Sequence, residues 1–505
     1  MSISFELPQS RIISPLRYRE GTTSVWTHPA AQCSMLLVWG LFLFLYGIHQ
    51  GDLYRTEGLR AIIGKEMYRT GDWTVPKLYG EPILTKPPLF YWAIASTGYL
   101  FGEVTTWSAR LPAALAGLGC LLIVYFTLRR YSQSSWLPLL AALALPCSGM
   151  WLEKASSSEI DTLLVMFVLG AWACFLRVLE GLQAGESHLG WWIATLLCVA
   201  GGVLTKWTGF LFFYVMAVPL LLWQRQLWRL FHWHHLLAAL IGMAIVWCWL
   251  GLVVYDLGWT NVSNMLWKEG APRVLHSKNA SQQLIIETVL HPFKIIGIAA
   301  PWSIIVILGW RKRVFTSLTL IEKSLLCWAV AGTLMMTVFP DHNIRQSFSL
   351  VPAWTLLGVF TLKRMWQADA VPVWFKQHPF RWLMIAMLAW SAIKIIHVEV
   401  LIPARFRERP SLEAQATIMQ QFVPTGATLY LARVKDECLL FNYGCGVQRL
   451  RTWSQLPADG MIYCAMTEEE RRDFTVTSTS RIVLEKTLQD AQGDVLVLVQ
   501  LQLNR

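Results

Sequence analysis

Residues 51–92 read GDLYRTEGLRAIIGKEMYRTGDWTVPKLYGEPILTKPPLFYW. This is the longest polar interval in the first half of a markedly apolar chain. Asp52, Glu57, Glu66, Asp72 and Glu81 stand among Arg55, Arg60, Lys65, Arg69, Lys77 and Lys86, with Tyr54, Tyr68, Trp73 and Tyr79 between them. An ordinary connector between two membrane helices is short. This one has room for a helix, a turn and a second membrane-touching segment. Leu59, Ile62, Ile63 and Met67 recur at helical spacing and Thr70-Gly71 stops the pattern, so 56–70 is expected to be a helix lying on the membrane surface. The flanking chain reads as a scaffold of membrane helices that holds this loop against a bilayer.

Composition sets the class. The 505 residues are 55% hydrophobic and 15% charged, with a mean hydropathy of +0.43, whereas soluble domains carry about 25% charged residues. The 27 Trp suit a bilayer interface. A net charge of +11 fits positive-inside anchoring and anionic headgroups. It does not suggest nucleic acid, for which there is no basic soluble domain. Seven of the ten Cys lie in or beside apolar runs, where a thiol is mostly a small hydrophobe, and none has metal-ligand spacing. Cys438, Cys445 and Cys464 lie in the polar tail and allow at most one disulfide among them. The first apolar run is long enough to stay as an anchor, so no cleavable leader is expected.

The runs at 33–49, 107–128, 135–151, 160–180, 188–205, 208–223, 232–256, 293–309, 322–339, 345–362 and 381–402 are each expected to cross the membrane. The run at 87–102 is not. Arg129-Arg130, Arg177, Arg225 with Arg229, Arg311-Lys312-Arg313, and Lys363-Arg364 with Lys376 mark alternate loops. All fall inside, by the positive-inside rule, if 87–102 is re-entrant or lies on the surface. The reading is an all-α polytopic membrane protein of about eleven spans, on these apolar runs. Residues 1–32 form a cytoplasmic segment, 33–402 the membrane domain with a first outer loop at 50–106, and 403–505 a small outer-side α/β domain. In the tail, short alternating runs (Thr428–Leu431, Met461–Cys464, Ile482–Leu484, Val495–Leu501) accompany a helical 411–422. No internal repeat or nucleotide fingerprint is present.

Acids and bases gather at span ends on the outer side. Glu153, Lys154, Glu159 and Asp161 precede or open one span, and Lys206 separates two others. Glu269, Arg273, His276 and Lys278 lie in the 257–292 loop, while Asp341, His342 and Arg345 open another span. A charge at a span end is most often merely solvated. Their accumulation on one side argues for function. Lys and Arg can bind a phosphate at the membrane surface, and a carboxylate can take a proton from an attacking hydroxyl or amine. That mixture suits group transfer from a lipid phosphate. Pro87 biases Lys86 toward extended backbone, which fixes where its ammonium is held.

The loop also resembles a known family. Glu57, Ala61, Glu66-Met67, Gly71-Asp72-Trp73, Pro76, Leu78, Gly80, Pro82, Lys86-Pro87-Pro88-Leu89 and Tyr91-Trp92 are similar to the first outer loop of GT-C glycosyltransferases. The nearest are the dolichyl-phosphate-mannose–protein mannosyltransferases and the lipid A aminoarabinose transferase. Phe101-Gly102, Arg110-Leu111-Pro112, Glu159-Ile160-Asp161, Leu204-Thr205-Lys206, Pro301-Trp302, and Arg345 with Pro352 extend the likeness over about 33–362.

The resemblance implies a multi-pass enzyme of the cell's inner (plasma) membrane with its site on the periplasmic or outer side. Such an enzyme moves a sugar, with inversion, from a polyprenyl-phosphate donor to a lipid, glycan or protein acceptor. By position, Lys86 holds donor phosphate with Arg60, Lys206 and Arg345. Asp161 matches the second-loop acid. Glu269, Arg273, His276 and His342 are the substrate-binding positions. Membrane lipids and the donor are the expected partners, and no cofactor is expected; Thr85, where the aminoarabinose transferase has an acid, weakens the case for a divalent metal. One departure is large. The family has Asp-Glu where this chain has Thr56-Glu57, and threonine is no base at neutral pH. The base is then expected at Glu57, with Asp52 as the other acid within reach. The alternatives are a degenerate relative that binds a lipid-linked sugar without turnover, and a transporter, which the missing repeat disfavours.

Overall fold

The structure, a computed structural model, describes residues 28–275, 281–339, 342–407, 411–444, 446–450, 452–457, 460–474, 480–490 and 493–503. It is mostly helical. Among the described residues five helices are long and apolar enough to cross a membrane: Thr106–Tyr131, Ile160–Ala184, Trp233–Leu257, Leu320–Val338 and Phe380–Phe406. A sixth crossing is available if Ile286–Ile298 and Trp302–Arg311, bent by 103°, form one broken span. Pro29–Leu45, Leu189–Thr205 and Gly209–Trp223 are shorter apolar helices. The chain divides into two compact units.

The first unit holds residues 1–46, 113–156 and 160–394. Its centre is Ile160–Ala184, which buries Leu164, Val165, Leu169, Trp172, Phe175 and Leu179. Trp233–Leu257 instead turns Leu236, Leu240, Met243, Trp247 and Leu252 outward, as a lipid-facing helix does. Close packing uses small residues, because lipid gives apolar helices no hydrophobic reason to associate. A Cβ on Gly209 would stand 2.3 Å from the backbone of Gly202. Trp172 Nε1 donates to Ser324 Oγ across helices at 2.9 Å.

Two sequence readings change here. The run at 135–151 is two pieces, Leu137–Ala144 and Gly149–Lys154, because Pro146 has no N–H to continue the first helix. The run at 345–362 begins as a tight 3₁₀ turn, Ile344–Leu350, before Val351–Gln367.

The second unit joins residues 47–112, 157–159 and 395–505. The tail therefore folds with the first loop. Helix Glu57–Thr70 ends on left-handed Gly71. Leu89–Phe101, with 13 residues, is only about 20 Å long at 1.5 Å per residue, short of the roughly 30 Å hydrocarbon core. The two helices meet through glycines: a Cβ on Gly64 would press Ile94, and one on Gly98 would press Tyr68.

The tail forms a five-stranded mixed sheet in the spatial order Val447–Arg449, Leu429–Leu431, Gly460–Thr467, Val495–Leu503, Ser480–Gln489. The first three strands are parallel, and the last two pair antiparallel. Ile462, Cys464 and Met466 alternate toward one face and pack with Val497, Val499 and Leu501, while Tyr463, Ala465, Leu496 and Leu498, on the opposite face by the period-two alternation of a strand, are buried as well. Helix Glu437–Tyr443 lies against Glu57–Thr70 so closely that a Cβ on Gly58 would stand 2.6 Å from Cys438 N. Arg69 Nη1 donates to Gly444 O at 2.6 Å, and Lys65 Nζ sits 4.6 Å above the Phe441 ring. Cys438 and Cys464 are free buried thiols; Cys445 lies outside the described residues.

Candidate functional site

The start of the first loop is built around Arg110. Its Nη1 donates to Ile48 O at 3.0 Å and Gln50 O at 2.9 Å, and its Nη2 to Asp52 O at 3.0 Å. Its Nε and Nη2 also grip Glu57 Oε1 and Oε2 at 3.0 and 3.1 Å. Glu57 accepts further from Ser158 N at 2.7 Å and Tyr54 N at 2.9 Å. Each Glu57 oxygen thus holds two donors, and the residue is 4% exposed. Burial alone would raise its carboxyl; the Arg110 charge and hydrogen bonds, with the two backbone N–H groups, outweigh it and hold Glu57 below the usual range. Glu57 is a fixed anion that ties three chain segments together. The sequence reading that makes it the working base does not match this geometry, which leaves it no open oxygen.

Asp52 is tied elsewhere. Its Oδ2 accepts from Leu412 N at 3.2 Å, the first residue of helix Leu412–Phe422. Burial pushes its carboxyl above the usual value, against the smaller opposing pull of that bond and of Arg110.

Thr56, Arg60 and Glu159 form the second group of this unit. Thr56 Oγ1 donates to Glu159 Oε1 at 2.7 Å. Arg60 Nη1 donates to Thr56 Oγ1 at 2.8 Å and to Thr56 O at 3.0 Å, and lies 2.8 Å from Glu159 Oε2. Arg60 and Glu159 are buried, while Thr56 is exposed. Lys86 is half-buried, just ahead of helix Leu89–Phe101, whose N-cap is Pro88.

In the helical unit Asp161, in the first turn of Ile160–Ala184, lies between two lysines. Lys154 Nζ is 3.6 Å from Oδ2 and Lys206 Nζ 3.7 Å from Oδ1. All three are buried. Lys206 is extended at the end of Leu189–Thr205. Arg345 is half-buried in the turn that Asn343 caps by accepting its N–H at 3.2 Å. His342 Nε2 lies 3.3 Å from Thr288 Oγ1 and 3.0 Å from Thr337 O, with its ring 5.1 Å from that of His291. Glu269 and Arg273 are on helix Trp259–Leu275, but their side chains, and His276 altogether, lie outside the described residues. Among the described residues no three His, Cys, Asp or Glu side chains gather as metal ligands would.

The structure brings Arg60 together with Thr56 and Glu159, and Asp161 with Lys206 and Lys154. Arg110, Glu159 and Lys154 are members that the sequence reading names, among the outer-side charges or in the motifs of the resemblance, but gives no role in the site. Arg110 was visible within Arg-Leu-Pro, and Glu159 within Glu-Ile-Asp, but nothing local marks their partners.

The comparisons with known proteins agree with this architecture. Residues 85–251 match the family model of dolichyl-phosphate-mannose-protein mannosyltransferase. A relative in Pseudomonas fluorescens, undecaprenyl phosphate-alpha-4-amino-4-deoxy-L-arabinose arabinosyl transferase 2, is 27% identical over 215 residues, 43% of this chain and 36% of that one. A Pseudomonas aeruginosa transferase named for the same substrate is 27% identical over 218 residues, 43% of this chain and 39% of its own length. The matched part is thus well under half of these relatives. In fold, ArnT from Cupriavidus metallidurans bound to undecaprenyl phosphate superposes with a TM-score of 0.72 at 18% identity, covering 94% of this chain and 98% of that chain. The archaeal oligosaccharyltransferase AglB from Archaeoglobus fulgidus gives 0.52 at 12% identity, covering 88% and 70%. The chain is thus similar in sequence to the dolichyl-phosphate-mannose-protein mannosyltransferases over residues 85–251 and to the arabinosyl transferases over 43% of its length, and it shares the fold of ArnT over nearly all of it.

Proposed function

We propose that the protein transfers a glycosyl group from a polyprenyl-phosphate-linked sugar to a lipid, glycan or protein acceptor. The proposed site is on the periplasmic face of an inner membrane that the chain crosses about eleven times, on the apolar runs of its sequence. One observation carries this reading. A chain made mostly of apolar helices buries two sets of ion pairs, Arg60–Glu159 and Lys154–Asp161–Lys206. Burying an ion costs several kcal/mol even after relaxation, and such groups near a membrane mark function more often than stability. The names of the relatives and their lipid phosphates supply the substrate class.

In this reading a cation neutralises the donor phosphate as it departs, and a carboxylate accepts the proton of the attacking group. Lys86 is the proposed phosphate ligand in the loop–tail unit, and Lys206 and Arg345 have the same chemistry in the helical unit. His342, with Glu269, Arg273 and His276, keeps the substrate-binding assignment. The acceptor attacks the anomeric carbon from the side opposite the phosphate, which inverts it.

The test begins with binding. Protein purified in detergent is incubated with a polyprenyl-phosphate sugar and washed, and its lipid is identified by mass spectrometry. Retention of the donor by the wild type, weakened in Lys86→Ala, supports the reading; a folded protein that retains no polyprenyl phosphate overturns it. Thr56 keeps a second reading in view, a relative that binds such a lipid without turnover. That reading requires retained donor to be recovered intact after acceptor lipids are added.

A further inference from the structure

We propose that Thr56 and Glu159 form a proton relay that replaces a direct carboxylate base in glycosyl transfer; this rests on the transferase reading above. A threonine at a helix N-cap ordinarily accepts from a backbone N–H in the first turn. Thr56 caps Glu57–Thr70 by position but makes no such bond. Its hydroxyl points to Glu159, 103 positions along the chain, at 2.7 Å. Thr56 is exposed and Glu159 is 5% exposed, so Thr56 is the surface end of a path that finishes on a buried acid. Glu57 cannot serve, since each of its oxygens already holds two donors. Asp52 faces the start of Leu412–Phe422.

The geometry suits a two-step proton path. A hydroxyl has one proton to give and two lone pairs. Thr56 Oγ1 gives its proton toward Glu159 Oε1 and uses one lone pair on Arg60 Nη1 at 2.8 Å. Its second lone pair is the place for the O–H or N–H of an acceptor. As the acceptor atom bonds to the anomeric carbon, its proton passes to Thr56 Oγ1 and the proton of Thr56 passes to Glu159 Oε1. The bond from the anomeric carbon to the phosphate oxygen breaks, and its electron pair leaves with the polyprenyl phosphate. Glu159 then returns the proton to water. The Arg60 guanidinium, 2.8 Å from Thr56 Oγ1 and 2.8 Å from Glu159 Oε2, stabilises the negative charge that grows on Thr56 during the transfer. Thr56 touches the acceptor, and Glu159 acts through it.

The test measures transfer of label from a radiolabelled polyprenyl-phosphate sugar to a membrane-lipid extract. Thr56→Val and Glu159→Gln should each lower kcat by about 10²–10⁴-fold, with KM for the donor little changed. Thr56→Ser, which restores only the hydroxyl, should recover most of what Thr56→Val loses. The double variant Thr56→Asp with Glu159→Gln returns a carboxylate to position 56 and should exceed Glu159→Gln alone. Rates for Thr56→Val equal to the wild type, or Thr56→Ser falling as low as Thr56→Val, overturn the relay and leave the transferase reading standing. No label moved by the wild type overturns both. If Glu159→Gln fails to fold, the valine and serine variants decide between these outcomes by themselves.

Discussion

Arg110 and Glu57 hold each other through two parallel hydrogen bonds of 3.0 and 3.1 Å while both are more than nine-tenths buried. The same guanidinium collects the carbonyls of Ile48, Gln50 and Asp52, so one side chain fixes the path by which the chain enters the first loop. Removing one partner of a buried ion pair leaves an uncompensated charge, which costs about 3–5 kcal/mol. Arg110→Ala and Glu57→Gln are therefore both expected to lower the melting temperature of the detergent-purified protein. An unchanged melting temperature in Glu57→Gln with lost turnover would return Glu57 to a chemical role.

The pH dependence follows with a definite sign. The Glu57 carboxyl lies below its ordinary value in the fold. Its contribution to stability is present above the unfolded value of 4.5 and is lost as pH falls through the lower folded value. Asp52 has the opposite sign: its raised carboxyl favours the fold below its unfolded value and costs stability as pH rises through the folded one. Glu57→Gln should flatten the acid limb of a melting-temperature profile. Asp52→Asn, which can still accept from Leu412, should be no less stable than wild type at neutral pH. A Glu57→Gln profile parallel to wild type through the acid range would contradict this.

Much of the fold was legible because it rests on local pattern. Thr70-Gly71 ends a helix where Gly71 adopts φ +70°. The alternation at Met461–Cys464 lies within the strand Gly460–Thr467. The Glu437–Tyr443 helix and the three-residue strand Val447–Arg449 were not legible, being too short to show a period. The site was legible only in its ingredients. Arg110 is 53 residues from Glu57, and Thr56 is 103 from Glu159. No spacing rule spans such distances, so a carboxylate next to the expected position looked like the replacement base when the structure gives it a tethering role.

Gly58 reports on the seat that the tail gives the loop. Any side chain there meets backbone, Cys438 N at 2.6 Å and Glu437 C at 2.7 Å, which cannot swing aside. Gly58→Ala is expected to destabilise by about 1–3 kcal/mol, despite alanine's better helix propensity. It should also speed maleimide labelling of Cys438, which is buried in the wild type. Wild-type stability and labelling would show that the two helices are not in contact in solution.

Lys206 tests the second buried group. A hydrogen bond to a charged partner contributes about 1.5–3 kcal/mol. If Lys206 meets the donor phosphate, Lys206→Ala should weaken donor binding by roughly 10–100-fold in a retention or thermal-shift titration with polyprenyl phosphate. An unchanged affinity would leave the lysine as a partner of Asp161 alone.

The most direct measurement follows both products at once. Donor labelled in the sugar and in the lipid is mixed with purified protein and a membrane-lipid extract, and the species are separated by thin-layer chromatography. The account predicts that the wild type forms free polyprenyl phosphate and a glycosylated acceptor in equal amounts, and that Lys86→Ala forms neither at a comparable rate. Donor that stays bound to folded wild-type protein and is recovered intact, with no labelled acceptor, would contradict it.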